Sequence, residues 1–292
     1  MELSDYQRES GKTDNLEGEG AAALIVPLLG LAGEAGSLLT LHKKILRDGN
    51  AYRGVKENIS EELGDVLWYV AAIARRSGLD LDTVARLNLQ KTADRWTQAC
   101  ALSSVSFDEG YGASERLPRR FVAEFEEVPG GSGARMNLTI DGEQVGDMLT
   151  DNSYEDDGYR FHDVFHLCYA TMLGWSPVLR ANLKRKRKSN PKIDEVEDGG
   201  RAIAIEEGLS ALIFANAEKH SFFDGVYALD WSILRTCHEM TESLEVGIRS
   251  LYEWEQAILK GYEAWRGIVR NRGSRIQCDM RNRVFVLMDS KP

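Results

Sequence analysis

Two short stretches place carboxylates beside apolar stripes: Gly33-Glu-Ala-Gly-Ser37 and Glu61-Glu-Leu-Gly-Asp65. At about 100° per residue, Glu34 and Glu62 each lie about 80° from the centre of their own stripe, so both border the face that must be buried, while Asp65 lies further round. Glu62 and Asp65 are three apart, close to one helical turn. Their carboxylates can therefore converge on one ion when a helix carrying Glu34 lies antiparallel beside them. Hard oxygen ligands on facing helices suit Mg²⁺ or Mn²⁺, which keep waters and accept phosphate oxygens as further ligands. Left uncompensated, such carboxylates repel one another. Glu61 falls opposite its stripe, where a solvated surface acid and a functional acid look alike.

A third helix adds cations. Asn88, Lys91 and Arg95 recur at i, i+3 and i+7 and share one face. The chain has 36 Lys plus Arg against 46 Asp plus Glu, a net charge of −10, so any anionic ligand needs a local cation and nonspecific attraction to nucleic acid or an anionic membrane is disfavoured. A second polar cluster lies far downstream. His162 and His166 share a helical face at metal-competent spacing, with Asp163 between them, and Glu206-Glu207 interrupt an apolar helix where a charge needs a partner. These five residues predict either a second metal site or a hydrogen-bonded structural network. His162-Asp163 also suggests an HD-type hydrolase, but His42 is the sole histidine upstream.

The elements that must position these groups follow from periodicity. Leu31, Ala35, Leu38, Leu39, Ile45 and Leu46 form one helical stripe that stops at Asp48-Gly49-Asn50. Asn58, with Glu61 three residues on, predicts the cap of a second helix carrying Leu63, Val66, Leu67, Val70 and Ile73. Asp80 or Asp82 opens the third helix, which carries Val84, Leu87 and Leu89. Residues 120–128 and 136–145 are β-rich and flank a glycine loop, predicting a hairpin, and residues 284–288 add a strand to it. Helices are expected over about 158–174, 196–220, 230–245 and 250–271. The basic run Lys184-Arg-Lys-Arg-Lys188 is expected as a solvated helix end.

The 292 residues, 43% apolar and 28% charged with six prolines, describe an ordinary folded chain. No window is expected to approach the ~20 apolar residues of a membrane span, and the first residues show no secretory pattern. A cytoplasmic protein is expected, and its four scattered cysteines as buried thiols.

The stretch from Asp5-Tyr-Gln7 to Trp96 resembles the MazG-type nucleotide pyrophosphohydrolases. The resemblance rests on Leu28-Leu-Gly-Leu-Ala-Gly-Glu-Ala-Gly36, Lys43-Lys44, Glu61-Glu-Leu-Gly-Asp-Val-Leu-Trp-Tyr-Val70, Gly78-Leu-Asp-Leu81 and Asn88-Leu-Gln-Lys-Thr-Ala-Asp-Arg95. It implies a helical bundle that binds Mg²⁺ through Glu34, Glu62 and Asp65, with Glu61 as the candidate catalytic acid–base group and Asn88, Lys91 and Arg95 facing the substrate phosphates. It also implies hydrolysis of a nucleoside triphosphate to monophosphate and pyrophosphate, and a possible homodimer. Where the family has a second glutamate, this chain has Ser37. That departure leaves a nucleotide-sensing module, binding with little hydrolysis, as the alternative. The expected fold is mainly α: a MazG-like helical domain over residues 1–100, then a mostly helical α+β domain over 101–292 with a small antiparallel sheet. An echo of Glu34 and Asp65 around Glu207 and Asp163 suggests that the second domain is a degenerate or permuted bundle.

Overall fold

A computed structural model describes residues 1–15, 22–96, 106–130 and 133–288. The chain divides into two compact units, Met1–Ala93 and Asp94–Pro292. The first is all helical, with α1 (Leu3–Ser10), α2 (Ala22–Asp48), α3 (Val55–Arg76) and α4 (Leu81–Trp96). A six-residue connection folds α3 back along α2. Gly54, at φ 73°, makes the turn into α3. The helix therefore starts one turn before the predicted cap, and Asn58 lies inside it, donating Nδ2–H to the Tyr52 hydroxyl at 2.8 Å. Asp80 caps α4 as expected, accepting the Thr83 backbone N–H at 2.9 Å.

Helix α1, too short to show a period, is held by polar contacts instead. Gln7 donates to the Leu79 carbonyl at 2.8 Å and accepts from the Leu81 N–H at 2.9 Å. Arg75 reaches the Gln7 carbonyl and, with Arg76, pairs with Asp14. Along the α2–α3 contact, a Cβ added to Gly30 would lie 2.2 Å from the Tyr69 ring. Gly30→Val should therefore force the hairpin apart and cost about 1–3 kcal/mol, read as a lower melting temperature of the full chain by circular dichroism.

Two expectations for this unit need correction. By length and composition α2 is apolar enough to cross a membrane, since Glu34 is the one charge in its first twenty residues. Leu39, Leu46, Leu63, Leu87 and Leu89, expected inside, are exposed. Among the described residues, the buried apolar cluster of this unit is small: Ala71, Ala74 and Leu81, with Tyr6 and Val70 against them.

The second unit is built on a five-stranded antiparallel sheet in the order β3-β2-β1-β4-β5. Its strands are β1 (Arg120–Gly130), β2 (Gly133–Ile140), β3 (Glu143–Gln144), β4 (Gly273–Asp279) and β5 (Val284–Met288). β1 and β2 form the predicted hairpin, with Phe125 opposite Leu138. The tail joins the hairpin through β4, which pairs with β1, so β5 lies at the far edge. Alternate residues Phe121, Ala123 and Phe125 are buried. They share one core with α5 (Asp163–Leu173), every residue of which is buried, and with α10 (Leu251–Asn271).

The sequence did not predict the short helices α6 (Pro177–Asn182) and α7 (Pro191–Val196), each set by a polar cap followed by proline. The predicted helices at 196–220 and 230–245 contract to α8 (Gly200–Glu218) and α9 (Trp231–Thr241). The basic run is no solvated helix end. Arg187 is buried and pairs with Asp198 and Glu245 at 2.7 Å each, and Arg185 donates to the Ala113 and Arg116 carbonyls. Cys168, Cys237 and Cys278 are buried free thiols, as expected; burial pushes Cys237 and Cys278 up to about 12. Cys100 lies outside the described residues.

Candidate functional site

In the first unit, the Gly30–Tyr69 contact fixes the register of the α2–α3 hairpin. One turn further along α2 brings Glu34 level with Asp65, and Ser37 then comes level with Glu62. Glu34 and Glu62 are half-buried, while Asp65 and Glu61 are exposed, consistent with their positions relative to the apolar stripes. Among the described residues, no hydrogen bond or ion pair engages Glu34, Glu62 or Asp65. This donor set, all carboxylate oxygen with the Ser37 hydroxyl alongside, fits a hard divalent cation. The three do not all bring a ligating oxygen within 4.8 Å of the others. Asn88 is exposed on α4. Lys91 and Arg95 lie on the same helix, but their side chains fall outside the described residues.

The five downstream residues come together more tightly. His162 is the residue before α5, His166 lies one turn into it, and Glu206 and Glu207 project from α8. Glu206 is fully buried and accepts three hydrogen bonds: from His166 Nδ1–H at 2.9 Å, the Ser176 hydroxyl at 2.7 Å and the Val178 N–H at 2.9 Å. His162 stacks on Tyr159, and its Nδ1–H donates to the Tyr159 carbonyl at 2.9 Å. Both imidazoles thus commit Nδ1 to a protein acceptor. Nε2 of His166 lies 3.5 Å from Glu207 Oε1, and Nε2 of His162 lies 4.0 Å from Glu207 Oε2. Among the described residues, His162, His166 and Glu207 are the one set of three candidate ligands within 4.8 Å of one another. Asp163 is buried in the first turn of α5, where a negative charge is favoured, and stands apart from that set.

Charge in this cluster is divided unevenly. Burial disfavours a charged His166, but the Glu206 and Glu207 carboxylates outweigh it and push the ring up to about 10. Burial holds His162 below the usual imidazole range. The facing His166 ring holds Glu207 below the usual carboxylate range. Burial and the nearby Glu207, Asp157 and Asp163 carboxylates push the Tyr159 phenol up to about 12.

The sequence missed the residues that orient this cluster. Ser176 also caps α6, accepting the Leu179 N–H at 3.0 Å, so the Ser-Pro pair at 176–177 carried a signal for its position. The Tyr159 carbonyl carried none.

Comparison with known proteins covers both units. Residues 29–99 match the MazG nucleotide pyrophosphohydrolase domain and residues 103–291 the MazG C-terminal domain. The chain is 40% identical over 88 residues to the "Gene 37 protein" of Mycobacterium phage L5, an alignment covering 30% of this chain and 73% of that protein. No solved structure is significantly similar. With one match spanning well over half its length and the other falling on the helices that carry Glu34, Glu62 and Asp65, the chain belongs to the MazG nucleotide pyrophosphohydrolase family, whose activity class is hydrolytic.

Proposed function

We propose that this protein hydrolyses nucleoside triphosphates to nucleoside monophosphates and pyrophosphate, with Mg²⁺ or Mn²⁺ held by Glu34, Glu62 and Asp65. The observation that supports this reading is the placing of Glu34 level with Asp65, and one turn from Glu62, across the α2–α3 hairpin, with no hydrogen bond or ion pair to any of the three among the described residues. Acids so placed repel one another until a cation offsets them. The ion would supply positive charge at the phosphate under attack and acidify its bound water. The chain's own residues do the rest. Glu62 and Asp65, one turn apart on α3, and Glu34 on α2 would hold the ion. Asn88, Lys91 and Arg95 on α4 take the outer phosphates, where cations offset charge as the anhydride bond breaks. Glu61 orients the attacking water or accepts its proton.

Ser37 favours a second reading, a nucleotide-binding module with little turnover, because a neutral hydroxyl stands where an acid would add charge. One experiment separates the two. The full chain is incubated with a panel of ribo- and deoxyribonucleoside triphosphates and Mg²⁺ or Mn²⁺, and products are quantified by ion-exchange chromatography. Monophosphate and pyrophosphate in equal amounts support hydrolysis between the α- and β-phosphates. Tight binding by calorimetry with no product supports the binding module. Release of inorganic phosphate as the first product refutes the proposed bond.

A further inference from the structure

The downstream cluster has an arrangement that a hydrogen-bonded network alone does not require. Its two histidines lie one turn apart at the start of a helix that is buried throughout, so their backbone is rigidly held. Each has its Nδ1–H donated to a fixed acceptor, Tyr159 O for His162 and Glu206 Oε1 for His166. Glu206 is itself locked by Ser176 and the Val178 N–H. A carboxylate or carbonyl behind Nδ1 is the arrangement that sets ring orientation and tautomer for an imidazole that binds metal through Nε2. Nε2 of His166 is buried and, among the described residues, has no hydrogen-bond partner. It faces Glu207, which offers one oxygen toward each imidazole.

We propose that His162 Nε2, His166 Nε2 and a Glu207 oxygen form a binding site for one divalent transition-metal ion of the imidazole-preferring class, with Zn²⁺ as its reference member. Ligand atoms bonded to such an ion at about 2.1 Å stand ~3.4 Å apart in a tetrahedral set. One atom from each of the three side chains already lies within 4.8 Å of the other two, and the two Glu207 oxygens stand 3.5 and 4.0 Å from the respective imidazole nitrogens, so side-chain adjustments of about an ångström bring one oxygen and both nitrogens to that spacing. Two nitrogen donors distinguish it from the all-oxygen set of the first unit, and Mg²⁺ is a poor occupant. Three protein ligands leave one position open to water or a substrate atom, the pattern of reactive rather than structural zinc sites. The Glu207 side chain is 42% exposed, which gives the ion a route in from solvent. The competing occupant of the same space is a proton on His166 Nε2, shared toward Glu207.

Full-length, chelator-treated protein titrated with Co²⁺ tests this directly. One equivalent should bind with the intense visible absorption of low-coordinate, imidazole-ligated cobalt, and Zn²⁺ should bleach it. Glu207→Gln and His162→Gln should each weaken binding at least about tenfold. The apo Glu207→Gln chain should keep the parent's far-UV spectrum and a single cooperative melt, so that a lost band reads as a lost ligand and not as a lost fold. Glu62→Gln should leave the spectrum unchanged, so the result does not depend on the function proposed for the first unit. The inference is overturned if the parent chain shows no such band, or if the band survives Glu207→Gln and His162→Gln.

Discussion

Glu62→Gln should lower nucleoside triphosphate turnover by at least about a hundredfold while the far-UV spectrum and melting temperature of the chain stay at parent values. The substitution keeps the shape of a half-buried side chain and removes its charge. Among the described residues, Glu62 makes no hydrogen bond or ion pair that would be lost, and Gln keeps its packing, so stability has little reason to change. Turnover has every reason to fall if the acid holds the ion that offsets charge at the phosphate, a term typically worth several kcal/mol. Asp65→Asn should act the same way. The kinetic split is informative: both variants should demand far more metal for half-maximal activity, whereas a lost nucleotide contact would raise KM at saturating metal. Ser37→Glu supplies the reciprocal test. Ser37 stands level with Glu62 across the hairpin, so an acid there should lower the metal concentration needed. Full activity in both the Glu62 and Asp65 variants would remove the first unit as the reaction centre.

How much of this was legible in the sequence differs between the two units for a physical reason. The first unit is read through helical period, and α2, α3 and α4 were all expected because their apolar residues repeat every three to four positions. The start of α3 was misplaced because glycine at φ 73° opened the helix, whereas Asn58 and Glu61 had the right residue types for a cap one turn too late. The same stripes overstated burial, since period tells which face is apolar without telling what covers it; Leu39 and Leu63 are apolar, periodic and exposed. In the second unit the hairpin and the long helices followed from alternation and period. The cluster around Glu206 was visible as an anomaly, two acids in an apolar helix, and His166 is the partner that relieves it. The Arg187 pairing was not visible, because five basic residues in a row look alike until long-range folding brings Asp198 and Glu245 to one of them.

A second large effect is expected at Asp108, which Asn should replace at a cost of about 3–5 kcal/mol. The carboxylate is 1% exposed and holds four donors: Arg119, Arg180 at 2.8 Å, the Leu117 N–H at 2.9 Å and the Ser106 hydroxyl at 2.9 Å. Arg180 is as deeply buried as its partner, so losing the negative charge leaves that buried cation to the longer Asp198 contact at 3.6 Å. For a unit of about 200 residues this corresponds to a melting temperature lower by roughly 6–20 °C. Lys192→Ala, which removes an exposed pair with Glu195, should leave the melt unchanged. The pH dependence carries the sign. Burial alone would raise the Asp108 carboxyl, but Arg119, Arg180 and the Leu117 N–H hold it far below the usual range. A depressed carboxyl contributes stability that is fully present above its unfolded value of about 4 and is lost as pH falls toward the folded value. The parent should therefore lose melting temperature steeply below about pH 4, and Asp108→Asn, with no proton to take up there, should fall less steeply. Parallel acid limbs for the two proteins would show that Asp108 is not held ionised by its arginines.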